Sequence, residues 1–285
     1  MAAFEPVRGS ILRIGLPSYT LPPHEITYTY LFGGDDLVLF DVGARPGEGG
    51  KLLHAVEELG KPVRTVILSH HHPDHVSGLK EVYEPLGRPF VRAHPWTREY
   101  LASSFPGIRF GPDLSDGEVL KEGDVEARVL YTPGHAPGHV SLYLPREEVV
   151  LLGDLLVGEG SGTVVIAPPE GDLLAYEESL HRVAALGDVL GAPAHGDLLP
   201  SVEEGAKRAL AHKGEREAQV VAALRRHAEG ARLEDLLTQV YGDNLGEPVA
   251  FLASKTLLAH LLKLEAQGRA RQDGEGRWYS DAENL

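Results

Sequence analysis

Apolar residues along the chain fall in short runs, broken by glycine, proline and polar clusters. Ser10 to Leu16, Ile26 to Phe32 and Leu37 to Val42 read as strands, and Gly33-Gly34-Asp35-Asp36 between the last two is a hairpin signal. Val63 to Leu68 reads as a buried strand, because it is short, rich in Val, Ile and Leu, and bounded by Pro62 and a polar cluster. Pro89 to Ala93, Ala127 to Tyr131, Val140 to Leu144, Val149 to Gly153 and Leu190 to His195 have the same character. Helical spacing takes over in Glu48 to Leu59, through Leu52, Leu53, Val56 and Leu59, and stops at Gly60. Pro95 to Ser103 reads as another helix. Strands that alternate with helices predict an α/β domain, without choosing among the α/β folds.

The pattern changes after Pro200. Val202 to Arg226 is a long, charged helical stretch, and Ala231 to Tyr241 is a shorter helix that stops at Gly242. Pro248 to Gln267 is a third, with proline near its start and Gly268 just past its end. Arg269 to Gln272 and Arg277 to Ser280 flank Asp273-Gly274-Glu275-Gly276, a hairpin signal. Three helices followed by a hairpin is the order of a winged helix. The expected division is therefore residues 1–200 as the main domain and 201–285 as a small α+β, winged-helix-like domain.

The candidate chemistry sits at strand ends. Ser69-His70-His71-His72-Pro73-Asp74-His75 follows the Val63–Leu68 run directly. Pro73 and its polar neighbours predict a loop that aims several side chains at one point, with a helix beginning near Gly78 and Leu79. Imidazoles and a carboxylate are the donors Zn²⁺ takes where thiolates are absent, and this chain has no cysteine. The spacing His-x-His-x-Asp-His, carried by His70, His72, Asp74 and His75, resembles the signature of the metallo-β-lactamase superfamily. Pro133-Gly134-His135, Asp154 after Val149–Gly153, and His195 after Leu190–Ala194 follow in that family's order.

The resemblance implies an αββα sandwich and a site for two Zn²⁺, with Fe or Mn as alternatives. His70, His72 and His135 would hold one metal, and Asp74, His75 and His195 the other, with Asp154 bridging. It also implies a hydrolase that works through a metal-bridging hydroxide, with Asp74 as both ligand and the catalytic group that orients the hydroxide. Asp41, after Leu37–Phe40, either orients a metal histidine or starts a turn. His139 repeats the Pro-Gly-His pattern but leads into a strand, which favours a structural or hydrogen-bonding role. No substrate-binding residue is assigned.

The tail narrows the resemblance to β-lactamase-like proteins with a winged-helix extension, a group that includes a mitochondrial single-strand RNA endonuclease. The matching segments are His212-Lys213-x-x-Arg216-Glu217, Leu257 to Glu265, Arg277-Trp278 and Gly158 to Thr163. This implies a phosphodiesterase acting on single-stranded RNA. Two other readings compete: a glyoxalase-II-like thioesterase or esterase on a small acyl substrate, and a non-catalytic protein that binds a partner through its tail. Charge weighs on the choice. The net charge of −15 opposes a sequence-independent grip on phosphate backbones. Lys255 and Lys263 are the basic residues of the third tail helix, which suits packing better than reading a duplex groove. No stretch of about 18 apolar residues occurs, so the reading is a cytoplasmic protein without membrane contact, and a homodimer is left open.

Overall fold

The computed structural model describes residues 4–21, 24–122, 125–160, 162–243 and 245–281. Its first sheet opens as an antiparallel meander of β1 (Glu5–Arg8), β2 (Ile11–Pro17), β3 (Ile26–Gly33) and β4 (Leu37–Phe40). Helix α1 (Gly50–Leu59) then crosses back, so that β5 (Val63–Ile67) pairs parallel with β4. Two short helices, α2 (Pro73–Val76) and α3 (Leu79–Val82), lead to β6 (Phe90–Arg92), parallel with β5. Helix α4 (Pro95–Ala102) begins the passage to the second sheet. There β7 (Val119–Glu122), β8 (Val125–Tyr131), β9 (Val140–Leu144) and β10 (Val149–Gly153) run antiparallel. Helix α5 (Leu173–Ala184) carries the chain to β11 (Leu190–Pro193), parallel with β10.

Side-chain alternation along the strands builds three apolar layers. In the first sheet Tyr30, Phe32, Val38, Phe40 and Ile67 point to the inner core. Their neighbours Leu31, Leu39, Val66 and Leu68 point outward to Leu52, Leu79 and Leu101 of the helices. In the second sheet Val129, Val149 and Leu151 meet the inner core, while Leu130, Val150 and Leu152 pack on Tyr176, Leu180 and Val183 of α5. Sheets buried on both faces explain why these strands read as continuous apolar runs rather than alternating ones. The result is the expected αββα sandwich.

The C-terminal unit is α6 (Val202–Arg225), α7 (Leu233–Tyr241), α8 (Glu247–Ala266) and the antiparallel hairpin β12 (Ala270–Gln272) and β13 (Trp278–Ser280), in winged-helix order. Helix α6 serves both units. Val202 and Ala206 complete the outer layer of the sandwich, whereas Val220 and Leu224 pack with Leu236, Leu257, Leu261 and Trp278. Helix α8 is apolar nearly all round because it too faces both ways. Ala259 meets the sandwich, and Lys263 reaches Glu177 of α5 at 2.6 Å.

Three elements have no counterpart in the sequence reading. β1 and β7 are edge strands, and the residues of β1 are largely exposed, so it lacks an apolar signature. Helix α5 had a legible start: Asp172 caps it by accepting from Leu174 N and Ala175 N, ahead of Leu173, Tyr176, Leu180 and Val183 at helical spacing. One loop is corrected. The helix expected near Gly78 is α3, which starts at Leu79, but the motif before it, read as a loop, already turns into the short helix α2 at Pro73. Ser161, in the glycine-rich stretch, lies outside the described residues.

Candidate metal centre

The ends of β4, β5, β8, β10 and β11 converge at one edge of the sandwich. The two sheets are tied there by Val140 N donating to Ser69 O at 2.9 Å and Tyr28 N to Ala194 O at 2.8 Å. Extended backbone at His72 followed by Pro73 at the first helical position turns the chain into α2. Asp74 and His75 therefore leave the helix start on the same side as the strand-end histidines. Val42 N donates to His75 O, and Gly78 N donates to Val42 O, which presses α2 against the end of β4. The approach requires glycine at 43, where a Cβ would lie 1.7 Å from Asp74 O.

All of the expected ligand candidates come together, in two groups. His70, His72 and His135 form one; Asp74, His75, Asp154 and His195 form the other, with donor atoms within 4.8 Å of one another in each. His72 Nδ1 lies 3.0 Å from His70 Nε2 and 2.9 Å from His135 Nε2. Asp154 lies between the groups: one carboxylate oxygen is 3.3 Å from both His75 Nε2 and His195 Nε2, and the other is 3.4 Å from His135 Nε2. His195 Nε2 is also 3.3 Å from Asp74.

The supporting contacts fix ring orientation. Buried Asp41 accepts from Ser69 N at 2.7 Å, Ser69 Oγ at 2.7 Å and His75 Nδ1 at 2.8 Å, which leaves His75 Nε2 to face the carboxylates. His139 pairs with Thr132 Oγ1 through Nδ1 and accepts from Asp154 N at 3.0 Å through Nε2. His135 Nδ1 is 2.9 Å from Val165 O. Ser69 had no assigned role in the sequence reading, although it opens the histidine motif. It touches Asp41, His70 Nδ1 at 2.9 Å and His75 Nδ1 at 3.3 Å. Glu170, 3.2 Å from His71 Nε2 and 3.6 Å from His72 Nε2, was also missed, because it lies about a hundred residues from them in a stretch with no pattern of its own.

Electrostatics divides the histidines. Burial, reinforced by the neighbouring imidazoles, holds His70 well below the ordinary range and pulls His72 down to about 3. Burial also lowers His139 to about 3. At His75 burial acts downward too, but Asp154, Asp41 and Asp74 overcome it and raise the imidazole well above its usual value. Burial is likewise outweighed at His195, which Asp154 and Asp74 push up to about 9. Burial favours the neutral form of Asp154, yet His75 and His195 hold the carboxyl well below the usual carboxylate range. The pocket is thus an anionic hollow that draws positive charge toward His75 and His195, beside neutral imidazoles with available lone pairs. His75 Nε2 and one oxygen of Asp154 are buried without a hydrogen-bond partner in the protein. A donor set of imidazole nitrogens and carboxylate oxygens, with orphaned donors at its centre, fits Zn²⁺.

The centre forms the floor of a cleft of about 340 Å³. Tyr19, Leu21, Val157, Val164 and Val165 wall it, and Leu252 of α8 reaches in from the C-terminal unit. No Lys or Arg lines it among the described residues. No helix is long and apolar enough to cross a membrane among the described residues.

Comparison with known proteins agrees with this geometry. The family "Metallo-beta-lactamase superfamily" matches residues 22–221, and "Beta-lactamase associated winged helix domain" matches residues 233–278. An atrochrysone carboxyl ACP thioesterase of Emericella nidulans is 28% identical over 259 residues, covering 89% of this chain and 80% of the relative. A metallo-beta-lactamase family protein from Thermus thermophilus superposes with a TM-score of 0.76 at 25% identity, over 95% of this chain and 98% of that one. A beta-lactamase domain protein from Burkholderia ambifaria shares the fold with a TM-score of 0.83 at 21% identity, over 98% of this chain and 94% of that one. Sheet order, histidine-aspartate cluster and winged tail together make this chain a member of the metallo-β-lactamase superfamily, with the winged-helix domain associated with it.

Proposed function

We propose that the protein is a metal-dependent thioesterase that hydrolyses an acyl-thiol, of the kind carried by an acyl carrier protein. The observation that carries this reading is the cleft over the histidine-aspartate cluster, apolar-walled and without Lys or Arg among the described residues. A thioester group is neutral, so apolar walls take it in without a charge to desolvate. A single RNA strand needs a cationic groove along its backbone, and no Lys or Arg lines this cleft among the described residues. The thioesterase named among the relatives supports the same choice, and the RNA phosphodiesterase reading has no such support. A purely non-catalytic role does not account for so complete a donor set.

In this reading His70, His72 and His135 would hold one Zn²⁺ and Asp74, His75 and His195 a second, with Asp154 placed between the two groups; Fe or Mn would meet the same donors. When bound, the ions supply Lewis acidity that lowers the pKa of water and polarises the thioester carbonyl. The chain's own groups do the positioning. Asp74 lies on the cleft wall as an anion, because His75 and a hydrogen bond from His195 outweigh the burial that would protonate it. It can therefore only accept a hydrogen bond, which orients the attacking water. Asp41 and His139 hold His75 and the Asp154 backbone in place.

The test is a side-by-side assay of zinc-loaded protein on acyl-pantetheine thioesters, single-stranded RNA and bis-p-nitrophenyl phosphate. Thioester hydrolysis that disappears, together with paired zinc, in Asp154→Ala is the expected result. RNA cleavage without thioester turnover, or wild-type rates in Asp154→Ala, would overturn the reading.

A further inference from the structure

A second cavity, of about 180 Å³, adjoins the metal cleft and shares Thr163, Val165 and Leu252 with it. Its other walls come from α6 and α8, the two helices that join sandwich and tail, and from Tyr241 at the end of α7. Lys213 and Arg216 project from α6, and His260 projects from α8. In a chain with 42 acidic and 27 Lys and Arg residues, no Asp or Glu lines this cavity among the described residues. The nearby carboxylates are engaged elsewhere: Glu177 pairs with Lys263, and Glu217 pairs with Lys263 and Arg269.

Lys213 is only 1% exposed. Its ammonium donates to Val164 O at 2.8 Å and lies 5.5 Å from the Tyr176 ring centre, with no carboxylate in contact among the described residues. Burial pulls it down to about 8, against the attraction of Glu177 and with the help of Arg216. Arg216 donates to Val240 O at 3.3 Å and stacks over Tyr241. His260 is fully buried, and neither of its ring nitrogens has a hydrogen-bond partner among the described residues. A buried cation without a counter-ion and an imidazole without a partner are both costly unless a ligand meets them.

We propose that this cavity is an oxyanion subsite for the substrate. Lys213, Arg216 and His260 receive one charged group, a phosphate on the thiol arm or a carboxylate on the acyl part, while the thioester lies in the neighbouring cleft. The identity of the ligand rests on the thioesterase reading, whereas the cationic cluster stands without it. The wall between the two sites links them: Val164 O points to Lys213, and the next carbonyl, Val165 O, lies against His135. A substrate anchored in the subsite would therefore press on the strip of backbone that sets one of the proposed ligands.

The experiment uses the zinc-loaded full chain. Succinyl- and butyryl-pantetheine differ by a terminal carboxylate, and butyryl-phosphopantetheine adds a phosphate to the thiol arm, so the two arms separate the sources. One anionic substrate should show a KM at least tenfold below that of butyryl-pantetheine. Arg216→Met and Lys213→Met should each reduce that preference below threefold. Equal KM values in the wild type would overturn the proposal. So would a Lys213→Met enzyme that is slower on all substrates with its preference intact, which would make Lys213 only a strut for Val164. If Lys213→Met fails to fold, Arg216→Met and His260→Gln carry the same test. If no thioester is hydrolysed, the functional reading fails and the subsite is still decided by calorimetric titration with two pairs of probes, phosphopantetheine against pantetheine and succinyl-pantetheine against butyryl-pantetheine. Tighter binding of one anionic probe that Arg216→Met weakens tenfold supports it; equal binding within both pairs refutes it.

Discussion

Asp41→Asn separates the orienting role of Asp41 from its place in a turn. Asp41 adopts φ 64, and asparagine tolerates that left-handed region as well as any non-glycine residue. The change therefore preserves shape and backbone and alters only the donor pattern. The amide oxygen can still accept from Ser69 N. The amide NH₂ then replaces the oxygen that accepts from Ser69 Oγ and His75 Nδ1. To avoid donor facing donor, His75 must present its lone pair at Nδ1 and carry its proton on Nε2. That nitrogen is the one 3.3 Å from Asp154 and 3.9 Å from Asp74, so a cation would lose it as a ligand. Loss of such an orienting partner lowers metal affinity by about 10–100-fold, which corresponds to about 1.4–2.7 kcal/mol. The metal-free protein should also lose one charge-assisted hydrogen bond, about 1.5–3 kcal/mol. Competition against a chromophoric chelator measures the first quantity, and urea unfolding of chelator-treated protein measures the second. Zinc affinity within twofold of wild type, with stability lowered, would show that Asp41 is a turn residue and does not orient His75.

Three other outcomes follow from specific contacts. Gly153→Ala should destabilise the fold by about 1–3 kcal/mol and lower zinc content, because φ is 52 there and a Cβ would lie 2.7 Å from His139 Nε2; denaturation and metal analysis that match wild type would contradict this. Tyr30→Phe removes the hydroxyl that donates to Pro193 O at 2.6 Å across the two sheets, and the orphaned carbonyl should cost about 1–3 kcal/mol, seen as a lower urea midpoint at unchanged slope. Glu217 is held below the usual carboxylate range, against burial, by Lys263 and Arg269. Its folded value is depressed, so its contribution is present above about pH 4.5 and is lost as pH falls through the folded value. The stability difference between wild type and Glu217→Gln should therefore shrink in acid, and a difference independent of pH would rule this out.

The sequence alone determined the elements buried on both faces and the ligand candidates at their ends. Runs such as Val63–Leu68 and Val149–Gly153 are apolar because both sheets are covered, and a histidine or aspartate that closes such a run stands out against it. The winged-helix order of the tail was legible for the same reason: Gly242, Gly268 and the Asp273–Gly276 turn punctuate it. Edge strands β1 and β7 escaped, because half-solvated backbone needs no apolar code. Only the tertiary structure decided what surrounds the site. The sequence offered Asp41 as either an orienting partner or a turn residue, and its contact with His75 favours the first; Ser69 and Glu170 acquire their roles by contacts with Asp41 and His71 over separations that no local pattern encodes. The choice between RNA and thioester was also beyond the sequence. The proposed preference for a thioester rests on the charge lining one cleft, and net charge does not report where Lys and Arg lie: Lys213 and Arg216 line the adjoining cavity instead.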